Sequence, residues 1–202
     1  MSETRRLTVC ITGASGSTYA RRMLHVLAAA KAGTLPNADA RPDLSVDVVA
    51  SQNAPQVWEQ ELGEPMPDDL GPGVRRWDRM DFRAPFASGS NAPDAVVVMP
   101  CSMSTLARVA NGGGSDLIAR TCEVALKERK PLILVVRETP LSLVHLRNMV
   151  SATEAGAIIL PAVPSFYGHV RTLEAAVDTV VARALDRAGL PLPLVERWGD
   201  DS

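Results

Sequence analysis

Between Pro131 and Pro140 the chain reads Leu-Ile-Leu-Val-Val from Leu132 to Val136, five apolar residues with no polar alternation. A strand with one wet face alternates. A continuous apolar run has to be covered on both faces, as in the middle of a parallel sheet. Leu7 to Thr12 and Ala95 to Met99 read the same way, and Val46 to Ala50 and Ala157 to Leu160 supply two further strands. Between them fall segments of helical spacing. Tyr19 to Ala32 carries the stripe Ala20, Met23, Leu24, Leu27 and Ala28, and shorter helices are expected over Gln56 to Leu62 and about Met103 to Asn111. Arg120 to Lys130 and Leu141 to Ala155 are helical in pattern. Leu173 to Ala188 is the last helix, with Leu173, Val177, Val180, Val181 and Ala184 toward the core and Arg183 near the stripe's edge. Strands alternating with helices imply a single α/β domain, 1–202, built on a doubly wound parallel sheet. Residues 7–188 form its core, and the Pro-rich tail 189–202, with Trp198, is expected to dock on a neighbouring subunit.

Composition narrows the function. Twenty-one Lys and Arg against 23 Asp and Glu leave no bulk charge to draw the chain to nucleic acid or membrane. No window approaches a membrane span, and no apolar leader precedes the first strand, so the expected address is the cytoplasm. Cys10, Cys101 and Cys122 form neither a CxxC nor an even framework, which speaks against structural zinc and for a reduced compartment. Residues 63–94 are rich in Pro, Gly and Asp and lack periodicity; a stretch of that length inside a compact domain is usually functional or disordered.

In open α/β sheets the ligand crevice lies outside the carboxyl ends of the strands. Four such ends carry chemistry. Gly13-Ala14-Ser15-Gly16 follows the first strand and opens a helix whose exposed N–H groups suit a phosphate. Ser51 ends the second strand. Pro100-Cys101-Ser102-Met103-Ser104-Thr105 lines the next strand end with hydroxyls. Arg137 and Glu138 follow Val136 directly, a cation and a carboxylate placed for an anionic substrate and a proton transfer. Arg120 and Lys127, seven apart, share a helix face with Glu123 beside them. Ser115 or Asp116 caps that helix.

Each feature also has a plainer reading. Arg137 and Glu138 alone make a surface ion pair, and the helix charges a solvated face. Cys101, with no His or Asp paired to it in sequence, reads as a small packed residue rather than a nucleophile. His25 and His145 read as surface or packing residues, leaving His169, two past Tyr167, as the histidine nearest the candidate site.

Gly13-Ala14-Ser15-Gly16, the hydroxyl-rich run Pro100 to Thr105, Leu126-Lys127-Glu128-Arg129-Lys130-Pro131-Leu132, Val136-Arg137-Glu138-Thr139-Pro140-Leu141 and Pro161-Ala162-Val163-Pro164-Ser165-Phe166-Tyr167 together resemble the UbiX flavin prenyltransferase family. The specific part of the match runs from 100 to 167. The resemblance implies a flavodoxin-like (Rossmann-like) fold assembled into a homododecamer of trimers. It implies transfer of a dimethylallyl group from dimethylallyl phosphate, or the diphosphate, to N5 and C6 of reduced FMN, with no metal. The product would serve a UbiD-type decarboxylase.

Carried over by motif, Gly13, Ala14, Ser15, Ser51, Ser102, Met103, Ser104, Thr105 and Arg137 would contact FMN. Arg120, Lys127, Tyr167 and Arg183 would hold the donor phosphate. Glu138 would be the acid/base, Glu61 a second group for proton movement, and Ser15 would lie near N5. The family often carries Trp or Phe where this chain has Asn91, and Pro where it has Val170; Trp77, Phe82 or Phe86 would have to supply the missing aromatic. Two other readings remain open at this stage. One is a flavoprotein cysteine decarboxylase, whose catalytic His and Asn motifs are not matched here. The other is a non-catalytic FMN-binding accessory subunit of an aromatic-acid decarboxylase.

Overall fold

A computed structural model describes residues 4–167 and 170–196, so His169 and Trp198 lie outside the described residues. The strands are β1 (Arg5–Ile11), β2 (Leu44–Ala50), β3 (Val74–Trp77), β4 (Ala95–Cys101), β5 (Leu132–Val136) and β6 (Ile158–Pro161). All pair in parallel, in the order β3-β2-β1-β4-β5-β6. The continuous apolar runs sit where both faces are covered: β4 and β5 are buried at every residue, and β1 from Leu7 onward. Burial of each such Val, Leu or Ile side chain stabilises the fold by roughly 1.5–3 kcal/mol.

Among the described residues six α-helices cover the sheet: α1 (Ser17–Ala32), α2 (Ala54–Leu62), α3 (Met103–Ala110), α4 (Leu117–Lys127), α5 (Leu143–Glu154) and α6 (Leu173–Arg187). The core divides by face, following the pleat. Leu24 and Leu27 of α1, Trp58 of α2 and Val181 and Leu185 of α6 pack with Val9, Val48, Val97 and Ile133. On the other side Leu106 of α3, Ile118 and Cys122 of α4 and Ala152 of α5 pack with Cys10, Val96, Val98 and Leu134. The chain leaves β1 toward one layer and β4 toward the other, which makes the β1/β4 boundary the topological switch point. With the short β3 set aside, the remaining order is that of the flavodoxin sheet.

β3 is the main departure from the sequence reading, which expects no strand in 63–94. It is an edge strand of four residues, half exposed, with Arg75 and Arg76 inside it, so it shows no apolar run. The Arg75 guanidinium lies over the Trp77 ring at 3.8 Å, and Trp77 Nε1 donates to Asp47 Oδ1 at 2.6 Å. Leu173 also corrects the expectation: it is 75% exposed, at the first turn of α6 beside the crevice, while Val177, Val180, Val181 and Ala184 face the core as read. The first part of the tail docks on its own chain, with Leu190 and Leu192 buried in the core.

α5 is set apart by what it leaves uncovered. Its N-cap is a reciprocal pair, Ser142 Oγ accepting from the His145 N–H and His145 Nδ1 accepting from the Ser142 N–H. Only Ala152 of this helix is buried, and Leu143, Val144, Leu146 and Val150 are exposed. Among the described residues no helix is long and apolar enough to cross a membrane.

Candidate functional site

At the switch point the ends of β1 and β4 are tied through one hydroxyl. Thr12 Oγ1 donates to the Pro100 carbonyl at 2.7 Å and accepts from the Ser102 N–H at 2.8 Å. The Gly13-to-Gly16 turn then crosses the top of the sheet. A Cβ at Gly13 would come within 2.8 Å of Asn53 Cβ, so the turn closes against the start of α2. Gly16 has φ 126°, open to glycine but strained for any other residue, and its α face is closed by the Tyr19 ring and Pro100. Ser51 joins this floor, its N–H donating to the Ile11 carbonyl at 2.8 Å.

The start of α1 is not left open for a phosphate, contrary to the sequence reading. Glu61, near the end of α2, reaches across and accepts from the Gly16 N–H at 3.0 Å and the Ser17 N–H at 2.7 Å. Burial works to raise this carboxyl. Hydrogen bonds from the Ser15 hydroxyl and the Gly16 and Ser17 N–H groups outweigh it and hold the group below its ordinary range. The sign follows. A carboxyl whose folded pKa is depressed stabilises the fold fully above its unfolded value of about 4.3, and that stabilisation disappears as pH falls through the lowered value. Melting temperature against pH is therefore expected to drop on the acid side in the parent and to fall less steeply in Glu61→Gln.

The start of α3 is built differently. Ser102 is its N-cap, Oγ accepting from the Thr105 N–H at 3.3 Å and donating to Thr105 Oγ1 at 3.1 Å. Arg108 Nη2 donates to the same Thr105 oxygen at 3.3 Å, and its Nη1 to Asp116 Oδ2 at 2.8 Å. Asp116, rather than Ser115, caps α4 by accepting from the Ala119 N–H at 2.9 Å. Cys101 is fully buried, and burial pushes its thiol up to about 12, which leaves it a packed residue and not a nucleophile.

A cleft of about 460 Å³ opens above the β1 turn, lined by Ser15, Gly16, Tyr19, Glu61, Leu62, Arg137, Ala162 and Leu173 among others. It brings together three of the residues singled out in the sequence, Ser15, Glu61 and Arg137. Tyr19, Leu62 and Leu173 supply its apolar wall. Tyr19 was missed because it reads only as the start of a helix. Burial raises its phenol, opposed by the Arg137 charge across the cleft. Glu138, next in the chain to Arg137, does not line the cleft; it is exposed and accepts from the Thr139 N–H at 3.0 Å. A smaller hollow of about 310 Å³ between α1, α2 and residues 64–71 contains none of the expected residues.

The remaining candidates lie elsewhere on the subunit. Arg120 and Lys127 run along α4 beside the Ala87-to-Asn91 loop: Arg120 Nε donates to the Ala87 carbonyl at 2.9 Å, and Lys127 Nζ pairs with Glu128 at 2.7 Å. Lys127 ends α4, just before β5 begins, and Lys130 pairs there with Asp94 ahead of β4. This is the amino edge of the sheet, opposite the cleft. From Leu132 to Arg137 the strand rises about 16 Å, more than one phosphate group spans. Tyr167 is 83% exposed in the loop after β6. That loop is tied to α6 where the Ser165 N–H donates to Thr179 Oγ1 at 3.1 Å, and exposed Arg183 lies one turn further along the same helix face. Of the aromatics considered in place of Asn91, Phe86 is buried edge-to-face on Trp77 at 5.8 Å and is committed to packing.

The profile of the family described as Flavoprotein matches residues 1–185. The flavin prenyltransferase UbiX of Pseudomonas aeruginosa is 42% identical over 203 residues, covering 99% of this chain and 97% of that protein. The crystal structure of AnUbiX in complex with FMN and dimethylallyl pyrophosphate has a TM-score of 0.84 at 38% identity, covering 98% of each chain. A dodecameric FMN-dependent UbiX-like decarboxylase from Escherichia coli O157:H7 has a TM-score of 0.81 at 35% identity, covering 96% of this chain and 98% of that one.

Proposed function

The chain belongs to the flavoprotein family and, within it, to the UbiX flavin prenyltransferases, and from that premise we propose that it joins the dimethylallyl group of dimethylallyl phosphate to N5 and C6 of reduced FMN. The observation that carries this reading is the cleft at the β1/β4 boundary, where Ser15, Glu61 and Arg137 converge on an apolar wall. A relative of the same fold is known in complex with FMN and dimethylallyl pyrophosphate. The cleft's volume falls within the range of small-molecule sites. The bound flavin supplies the two nucleophilic centres.

The protein's own residues take the remaining roles. Glu61 already fills the start of α1, so the ribityl phosphate is assigned to the start of α3, at Ser102, Met103, Ser104 and Thr105, with Ser51 beside it. Gly13, Ala14 and Ser15 run along the ring edge, and Arg137 closes over it. Lys127, Tyr167 and Arg183, with Arg120, hold the donor phosphate and stabilise the charge that builds on it as the carbon–oxygen bond breaks. Glu138 exchanges the proton. The wall of Tyr19, Leu62 and Leu173 keeps water from the allyl group.

One subunit does not gather this whole set, because Lys127 and Arg137 lie at opposite edges of its sheet. Sites assembled between copies meet the requirement. The exposed apolar side of α5 suits burial between subunits, and a 35%-identical relative is dodecameric. The assignment extends to a homododecamer in the cytoplasm that hands its product to a UbiD-type decarboxylase.

The test is anaerobic. Protein is mixed with reduced FMN and dimethylallyl phosphate, quenched, and the flavin weighed by mass spectrometry. Flavin heavier by one prenyl unit is the expected product. Flavin that stays bound but unchanged, with the diphosphate tried as well, would instead identify an FMN-binding accessory protein.

A further inference from the structure

We propose that Arg108 is a positioning residue for the flavin phosphate, acting through the Thr105 hydroxyl; this rests on the assignment of that phosphate to the start of α3. Thr105 is 2% exposed, and its Oγ1 accepts from Ser102 Oγ at 3.1 Å and from Arg108 Nη2 at 3.3 Å. A threonine hydroxyl has two lone pairs and one proton. With both lone pairs engaged, the proton is left to donate, and a phosphate oxygen only accepts. The Ser102 proton is already spent on Thr105, so Thr105 is the hydroxyl of the pair set to donate to a phosphate.

Arg108 is itself held. Its Nη1 donates to Asp116 Oδ2 at 2.8 Å, and Asp116, 8% exposed, is fixed as the α4 cap by the Ala119 N–H. The cap of one helix thereby sets the donor direction at the start of another. Without Arg108, the Thr105 hydroxyl turns back to a carbonyl in the preceding turn, the bond a helical threonine ordinarily makes. The guanidinium is charge-matched by Asp116, so what it contributes is orientation and not net charge. The effect is accordingly insensitive to salt.

Riboflavin lacks the phosphate and separates the two roles. The experiment is a fluorescence-quenching titration of full-length protein with FMN and with riboflavin, in the parent, Arg108→Ala, Thr105→Val and the double variant. Each is repeated with Asp116→Asn, which keeps the α4 cap but removes the unpaired carboxylate. The expected result is that Arg108→Ala weakens FMN about tenfold, leaves riboflavin unchanged, and does nothing further in the Thr105→Val background. Equal weakening of both flavins would make Arg108 a structural residue and overturn the proposal. A full Arg108→Ala loss that persists alongside Thr105→Val would overturn it too, by removing Thr105 as the intermediary. If the parent itself binds FMN no tighter than riboflavin, the phosphate assignment falls and Arg108's role falls with it.

Discussion

Glu138→Gln is expected to slow prenyl transfer by about a hundred- to ten-thousand-fold, the range for loss of a positioned general acid or base, with FMN still bound. The substitution keeps shape and keeps the acceptor that receives the Thr139 N–H at 3.0 Å. It removes only the capacity to take up and return a proton. Glu138 follows Arg137 just after β5, so the residue that lines the cleft and its exposed neighbour are both carried by the same buried strand. Anaerobic single-turnover rates, read beside an FMN titration, check both halves of the expectation. A Glu138→Gln rate equal to the parent's would leave this carboxylate as a loop cap and end its role in the chemistry.

A second expected result concerns two defective variants together. Lys127→Ala and Arg137→Ala should each lose about two to three orders of magnitude in activity, as removal of a charge-stabilising donor does. Co-expressed, they should recover. If one site takes Lys127 from one copy and Arg137 from another, random mixing leaves about a quarter of the sites with both residues intact. The reason is the roughly 16 Å rise of β5 between the helix end that bears Lys127 and the strand end that bears Arg137. A site complete within one subunit predicts no recovery at any mixing ratio. Activity of doubly tagged hybrids, measured against each variant purified alone, decides between them.

The parts of this fold that were legible in the sequence are those held by continuous burial. β1, β4 and β5 announce themselves because both faces are covered, and the helix stripes follow from them. β3 did not, because an edge strand needs no apolar run, and Arg75 and Arg76 hide it among polar residues. Leu173 misled for a related reason: the helical period continues through it, but the core does not extend as far as the first turn of α6. In the site, Ser15, Glu61 and Arg137 were each visible as candidates at strand ends or on a helix. That Glu61 spends its carboxylate on the first turn of α1 was not, since the partners are 44 and 45 residues apart and no local pattern encodes the contact. Tyr19 and Arg108 escaped because each reads as an ordinary helical residue until the fold shows what it faces.

That carboxylate also bears on how the reaction ends. A helix start left empty beside Ser15 would be a resting place for the phosphate that departs from the donor. Glu61 occupies it with a group of the same charge, tethered to α2. With the Gly16 and Ser17 N–H groups taken by Glu61, the freed anion finds no donors open to it at this helix start.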